Sequence, residues 1–262
     1  MSNEIKKLER RRKARKKLDE LASREEQVLV IHYSCESFYD RPEGQTPRVT
    51  SIAVRNYANG QTASFSIHKV AELNHVKFSR IQESYDMLEK EMLSEFYEFM
   101  RQHKSYDWVH WNMRDINYGF PALEHRYKIL GGEPVELDDS KKFDLSRALV
   151  AIYGNAYIAH PRIEKLMDKN KITAKDLMNG QQEADAFEAN EYVKLHQSTL
   201  RKVDVLANFL GRTLDGSLKT NATWKDMHGF SISILGEYIA KHWIFTLIIG
   251  VLGVTGFIYQ FL

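Results

Sequence analysis

Between Lys6 and Lys17 the chain carries nine basic residues against one acidic residue, Glu9. Lys6, Lys7, Arg10, Arg11, Arg12, Lys13, Arg15, Lys16 and Lys17 could neutralise nucleic-acid phosphates. They could equally contact the anionic leaflet of a membrane, where each cation is worth about 1 kcal/mol. The plain alternative is a solvated charged helix, and residue types leave all three readings open. The chain of 262 residues has a net charge of +2, so removing the +8 of this segment leaves −6, and the basic character is local. Other reactive types are sparse. A single cysteine, Cys35, excludes an internal disulfide framework and fits a reducing compartment. His110, His125, His160 and His196 are scattered without metal-ligand spacing and read as ordinary core or surface histidines. By type and neighbours alone, Glu36 is a strand-edge carboxylate and Asp204 a helical partner for Arg201 or Lys202.

These residues need elements to position them. Residues 1–27 are rich in Lys, Arg, Glu, Leu and Ala and lack Gly and Pro, which predicts one basic helix. Its apolar positions Ile5, Leu8, Leu18 and Leu21 are too sparse for a heptad seam. Residues 28–229 form the main domain. It opens with strand-like runs, VLVIHYSCESF, then RVTSIAVRNYA and QTASFSIHKV joined across Asn59-Gly60, a strong hairpin signal. From Val76 to Lys104 the spacing turns helical, with Ile81, Tyr85, Leu88, Met92, Phe96 and Met100 on one face. A short strand is expected over Trp108 to Asn112, with Trp108 and Trp111 packing on one face. Helices follow up to Leu210, one of them stopped by Gly131-Gly132. Hairpin, helix, strand and then helices predict an α/β domain with a mixed sheet flanked by helices.

The domain resembles the ribonuclease H-like fold of the DEDD family of 3′-5′ exonucleases, over roughly Val28 to Leu214. That family sets an Asp-x-Glu pair on its first strand, before a hairpin, and here Ser34-Cys35-Glu36 occupies that place. The segment HWNMRDINYGFPALEHRY resembles the family's second motif, with His110 and Asn112 at the strand end and Arg126 in the helix. Alignment on Pro121, Leu123 and Arg126 puts Tyr118-Gly119 where Phe-Asp would stand, and Asp115 is a substitute if its loop folds inward. FDLSRALVAIYG resembles the next helix, and the segment ending in LANFLG the last one, with Asp204 in place of its metal-binding aspartate. His196, Thr199 and Lys202 lie upstream, where the family has a His or Tyr that orients water, but their spacing assigns no base. The resemblance therefore implies Glu36 and Asp204 as catalytic residues and Glu36, Asp115 and Asp204 as ligands of Mg²⁺ or Mn²⁺. Two such ions about 3.5–4 Å apart need several anionic oxygens, and this set is short of the usual four carboxylates.

The C-terminal end has a different character. Residues 243–262 contain no charge, and twenty residues at a rise of about 1.5 Å cover a hydrocarbon core of about 30 Å. Trp243 and Tyr259 stand where interfacial rings belong, so one transmembrane helix is expected. Lys241 and His242 precede it, which keeps the folded domain cytoplasmic, as a single-pass C-terminally anchored protein. Residues 230–242 read as an amphipathic juxtamembrane segment. Gly250, Gly253 and Gly256 recur every three residues and could allow helix–helix self-association. The first thirty residues carry charge where a secretory signal would be apolar. The expected functions are a membrane-anchored 3′-5′ exonuclease acting on DNA or RNA, an inactive nuclease-like binding or scaffold module, and a structural membrane adaptor.

Overall fold

The computed structural model describes residues 3–36, 47–223 and 226. The expected spanning helix at 243–262, with Trp243, Tyr259, Gly250, Gly253 and Gly256, lies outside the described residues, as does the juxtamembrane segment 230–242. Among the described residues no helix is long and apolar enough to cross a membrane.

Helix α1 (Asn3–Ala22) leads into strand β1 (Val28–Cys35), which is buried along its whole length. That explains its unbroken VLVI run, since a central strand covered on both faces has no reason to alternate. β2 (Val49–Asn56) pairs antiparallel with β1 and with β3 (Thr62–Ser66), and Gly60 supplies the left-handed turn residue of the expected hairpin at φ +76°. α2 (Ile67–Leu73) and α3 (Tyr85–Gln102) carry the chain across to β4 (Asp107–His110), parallel to β1. α4 (Phe120–Ile129) precedes β5 (Lys142–Asp144), parallel to β4, and α5 (Leu145–Tyr153) follows at once. α6 (Arg162–Asn170), α7 (Gly180–Glu188) and α8 (Tyr192–Leu214) complete the described fold. The mixed sheet has the order β3-β2-β1-β4-β5.

Alternation along β1 divides the core in two. Leu29, Ile31 and Tyr33 join α3, whose Leu88, Met92, Phe96 and Met100 recur at helical spacing, while Val28 and Val30 join α5 and α8. The expected helix from Val76 thus starts late, because its first turns are short 3₁₀ segments, Phe78–Arg80 and Gln82–Ser84. The edge strand β5 was not expected, since three residues are too few to show a period. Trp108 and Trp111 do not share a face. Three is an odd spacing in a strand, and they fall into different halves of the core.

The basic helix does not stand off as an arm. Leu18 and Leu21 are buried in the α5–α8 half of the core. Lys17 Nζ and Arg24 reach the buried Asp107 carboxylate at 3.1 and 3.0 Å, fastening the helix to the first residue of β4. The cations further back, Lys6 to Lys16, stay at or near the surface.

Candidate functional site

The resemblance places a site at the carboxyl end of β1, where Ser34 and Glu36 emerge on either side of Cys35. Ser34 is fully buried, and its hydroxyl stands 2.7 Å from Thr199 Oγ1 and 3.2 Å from Glu183 Oε1. The Ser198 hydroxyl donates to the same Glu183 oxygen at 2.8 Å. The other carboxylate oxygen, Oε2, meets the Lys202 ammonium at 2.6 Å. Glu183 is 1% and Lys202 7% exposed, so this ion pair is shut away from solvent. It ties α7 to α8 and, through Ser34, both helices to β1.

Local sequence explains the placement. α7 starts on a capping box in which Asn179 and Gln182 exchange side-chain and backbone bonds, and its buried face runs through Glu183, Ala186 and Phe187. A carboxylate at the first position of that face is driven inward with the apolar residues after it. On α8, Leu195, Ser198, Thr199 and Lys202 lie on one face, and the two hydroxyls supply what a buried carboxylate demands. Thr199 also donates to the Leu195 carbonyl at 2.9 Å, so its side chain is fixed. Sequence reasoning missed Glu183 altogether and weighed Lys202 as a neighbour of Asp204 or, with His196 and Thr199, at the place of a water-orienting residue, not as a buried partner of a carboxylate. The available signal was a charge embedded in an apolar helical face.

A histidine adjoins this cluster. Burial holds His32 well below its ordinary pKa, and the nearby Lys202 charge pushes it the same way. The Tyr118 hydroxyl donates to the Tyr33 carbonyl at 3.1 Å and so accepts from His32 Nδ1 at 3.2 Å, which fixes the neutral tautomer. Burial likewise pushes the phenols of Tyr33 and Tyr118 well above their usual value. None of these groups is set to accept or release a proton near neutrality.

Each of the three carboxylates expected as ligands has partners of its own. Glu36 accepts from the Arg48 backbone N–H at 3.2 Å. Asp115 turns into its own loop and accepts from the backbone N–H groups of Asn117 and Tyr118, both at 2.9 Å. Asp204 pairs with Arg55 at 3.1 Å and Arg201 at 3.6 Å. Arg55 lies opposite Val30, six residues before Glu36 along β1, a distance of about 20 Å at the strand rise. Asp204 therefore belongs to the far end of the sheet. Among the described residues no group of three or more His, Cys, Asp or Glu side chains is placed to hold a metal ion. Glu36, Asp115 and Asp204 do not fit a pair of Mg²⁺ or Mn²⁺ ions, which need oxygens converging within a few ångströms.

Position 119 also resists a carboxylate. Gly119 adopts φ +152° and donates to the Tyr33 hydroxyl at 2.8 Å, and a Cβ there would fall 2.3 Å from the Met113 carbonyl carbon. Arg126, aligned with the basic residue of the second motif, faces inward to the fully buried Glu89, which its Nη2 meets at 2.6 Å. Burial raises the Glu89 pKa and Arg126 works against that shift. His110 is pushed down to about 4 by burial against the opposing pull of Asp144, and it accepts from the Met113 N–H at 3.1 Å. These residues brace the strand ends.

Of the basic run, Lys17 is spent on Asp107, whereas Lys7, Arg10 and Lys13 line a groove together with Arg147 of α5. Comparison with known proteins gives no match: no family model matches the chain, and neither does any curated protein or solved structure.

Proposed function

We propose that this chain is a nuclease-like module of ribonuclease H-like fold that binds nucleic acid without cutting it, held at a membrane by its apolar C-terminal stretch. One observation carries the reading. Where the resemblance requires clustered carboxylates around divalent metal, the chain has the buried pair Lys202–Glu183, ringed by Ser34, Ser198 and Thr199. An ammonium here meets the charge of one carboxylate and leaves no anionic oxygens for an ion. A mixed sheet whose first strand is followed by a hairpin supports the fold assignment. The charge-free residues 243–262 support the anchor, and the basic residues left unneutralised on α1 support contact with phosphates. The domain then works on the cytoplasmic side, beside the lipid.

The test uses the full chain in neutral detergent micelles with end-labelled single-stranded and duplex DNA and RNA, in Mg²⁺, Mn²⁺ or chelator. Gel mobility is expected to shift with salt-sensitive affinity while the labelled strands keep their length in all three conditions. Metal-dependent shortening from the 3′ end that is abolished by Glu36→Ala and by Asp204→Ala would overturn the reading and restore the exonuclease.

A further inference from the structure

Helix α1 and helix α5 run beside one another, and between them lies an open groove of about 1080 Å³. Lys7, Arg10 and Lys13 form one wall at i, i+3 spacing, each about 4.5 Å further along the helix axis. Arg147, on the first turn of α5, stands in the lining across from them. None of the four makes an ion pair among the described residues. The single carboxylate in the lining, Asp144, is already held by Arg114 Nε at 2.6 Å and caps α5 by accepting from the Arg147 N–H. The floor is apolar, with Ala148 and Ala151, and Phe143 there is buried, so the groove offers charge and width rather than a stacking face. Asp144 ends β5, which runs parallel to β4 and hence to β1, and this puts one end of the groove at the carboxyl edge of the parallel strands, where open α/β sheets take ligands.

We infer that the α1–α5 groove is a binding track for the phosphodiester backbone of single-stranded nucleic acid, gripped by Lys7, Arg10, Lys13 and Arg147. A row of cations on one wall with another across an apolar floor suits an extended polyanion lying in the trough. A bilayer surface is too broad to enter it and would meet the crest of α1 instead, at Arg12 and Lys16. With no exposed ring in the lining, recognition is by charge, indifferent to base sequence and steeply dependent on salt. The inference rests on the binding half of the function proposed above and does not depend on whether the strand is cut.

Four phosphate contacts on a single strand give a slope of about −2.8 for log affinity against log salt, an affinity loss of roughly 50-fold between 50 and 200 mM KCl. The test measures fluorescence anisotropy of a labelled mixed-sequence 20-mer, as DNA and as RNA, with the full chain in neutral detergent. The groove variant Arg10→Gln/Lys13→Gln/Arg147→Gln should lower the slope to about −0.7, so that the same salt step costs only about threefold. The control Lys6→Gln/Arg12→Gln/Lys16→Gln removes equal charge from outside the groove and should keep the wild-type slope within one contact. Equal losses in the two variants would overturn the proposal, leaving a diffuse basic face. It would also fall if the groove variant lost binding to phosphatidylserine vesicles but not to the 20-mer, or if the wild type bound the 20-mer without salt dependence. Unchanged thermal midpoints for both variants separate lost contact from lost fold. Degradation of the 20-mer in Mn²⁺, with the slope still dependent on the groove, would defeat the earlier reading and leave this one standing.

Discussion

Replacing Lys202 by Met should destabilise the protein severely, because it strands a charge that the fold has sealed. Glu183 is 1% exposed and its Oε2 loses a partner at 2.6 Å, while Oε1 keeps the Ser34 and Ser198 hydroxyls. Breaking a buried pair by removing one partner costs about 3–5 kcal/mol. The two retained hydroxyl bonds place this case near the lower end, about 3 kcal/mol. For a domain of this size that is a fall of roughly 6–12 °C in thermal midpoint. The double change Lys202→Met/Glu183→Gln removes both charges but keeps an amide oxygen for the hydroxyls, so it should return to within about 1–2 kcal/mol of the wild type. The assay is urea unfolding of all four members of the cycle, the second single variant being Glu183→Gln, followed by tryptophan fluorescence. The coupling energy should reach about 2 kcal/mol. A loss under about 1 kcal/mol for Lys202→Met, or strict additivity in the double variant, would show that the pair is not a sealed lock and would remove the main support for a module without metal.

Histidine burial sets the acid limb of stability. His196 is pushed down to about 3 by burial first, then by the neighbouring His68 and Lys69, and His110 sits at about 4. Both folded values lie below the ordinary histidine value, so their contribution is complete above about pH 6.5 and is lost as pH falls toward 4 and 3. Each adds a slope of about 1.4 kcal/mol per pH unit in that window, and urea unfolding of His196→Asn at pH 5 and 7 should show a slope lower by about one proton. Gly119→Ala should cost about 2–4 kcal/mol, since its Cβ would overlap the Met113 and Arg114 backbone and no side chain can yield; unchanged urea stability would contradict the tight turn. Asp107→Asn should loosen α1 by releasing Lys17 and Arg24, at about 1–3 kcal/mol, and trypsin should then cut within α1 several-fold faster at unchanged core stability.

Much of this fold was legible because its signals were periodic or punctuated. The apolar run of β1, the Asn59-Gly60 hairpin and the face from Tyr85 to Met100 each repeat a pattern long enough to read, and the mixed sheet followed from their order. What could not be read was pairing across distance. Glu183 and Lys202 are nineteen residues apart on different helices, and Ser34 lies 149 residues before Glu183, so their contact is a property of the packed sheet. Asp204 shows the same limit from the other side. Its neighbours along the helix allowed pairing with Arg201, and that pair forms, but its shorter contact is to Arg55 on β2 at 3.1 Å.

The separation of Asp204 from Lys202 follows from helix geometry. A helix turns 100° per residue, so Lys202 and Asp204 point about 160° apart, and only one of them can face the carboxyl end of β1. The packed face chose Lys202, because Leu195, Ser198, Thr199 and Leu206 share its side of α8 and are buried with it. Turning Asp204 inward would require rotating the whole helix and exposing those residues. Single substitutions to Asp at Ser34 or Lys202 would therefore bring carboxylates toward Glu183 without recruiting Asp204. One rotation setting of α8 thus turns Lys202 to Glu183 and Asp204 to Arg55, and the α1–α5 groove is where Lys7, Arg10, Lys13 and Arg147 stand without an ion pair among the described residues.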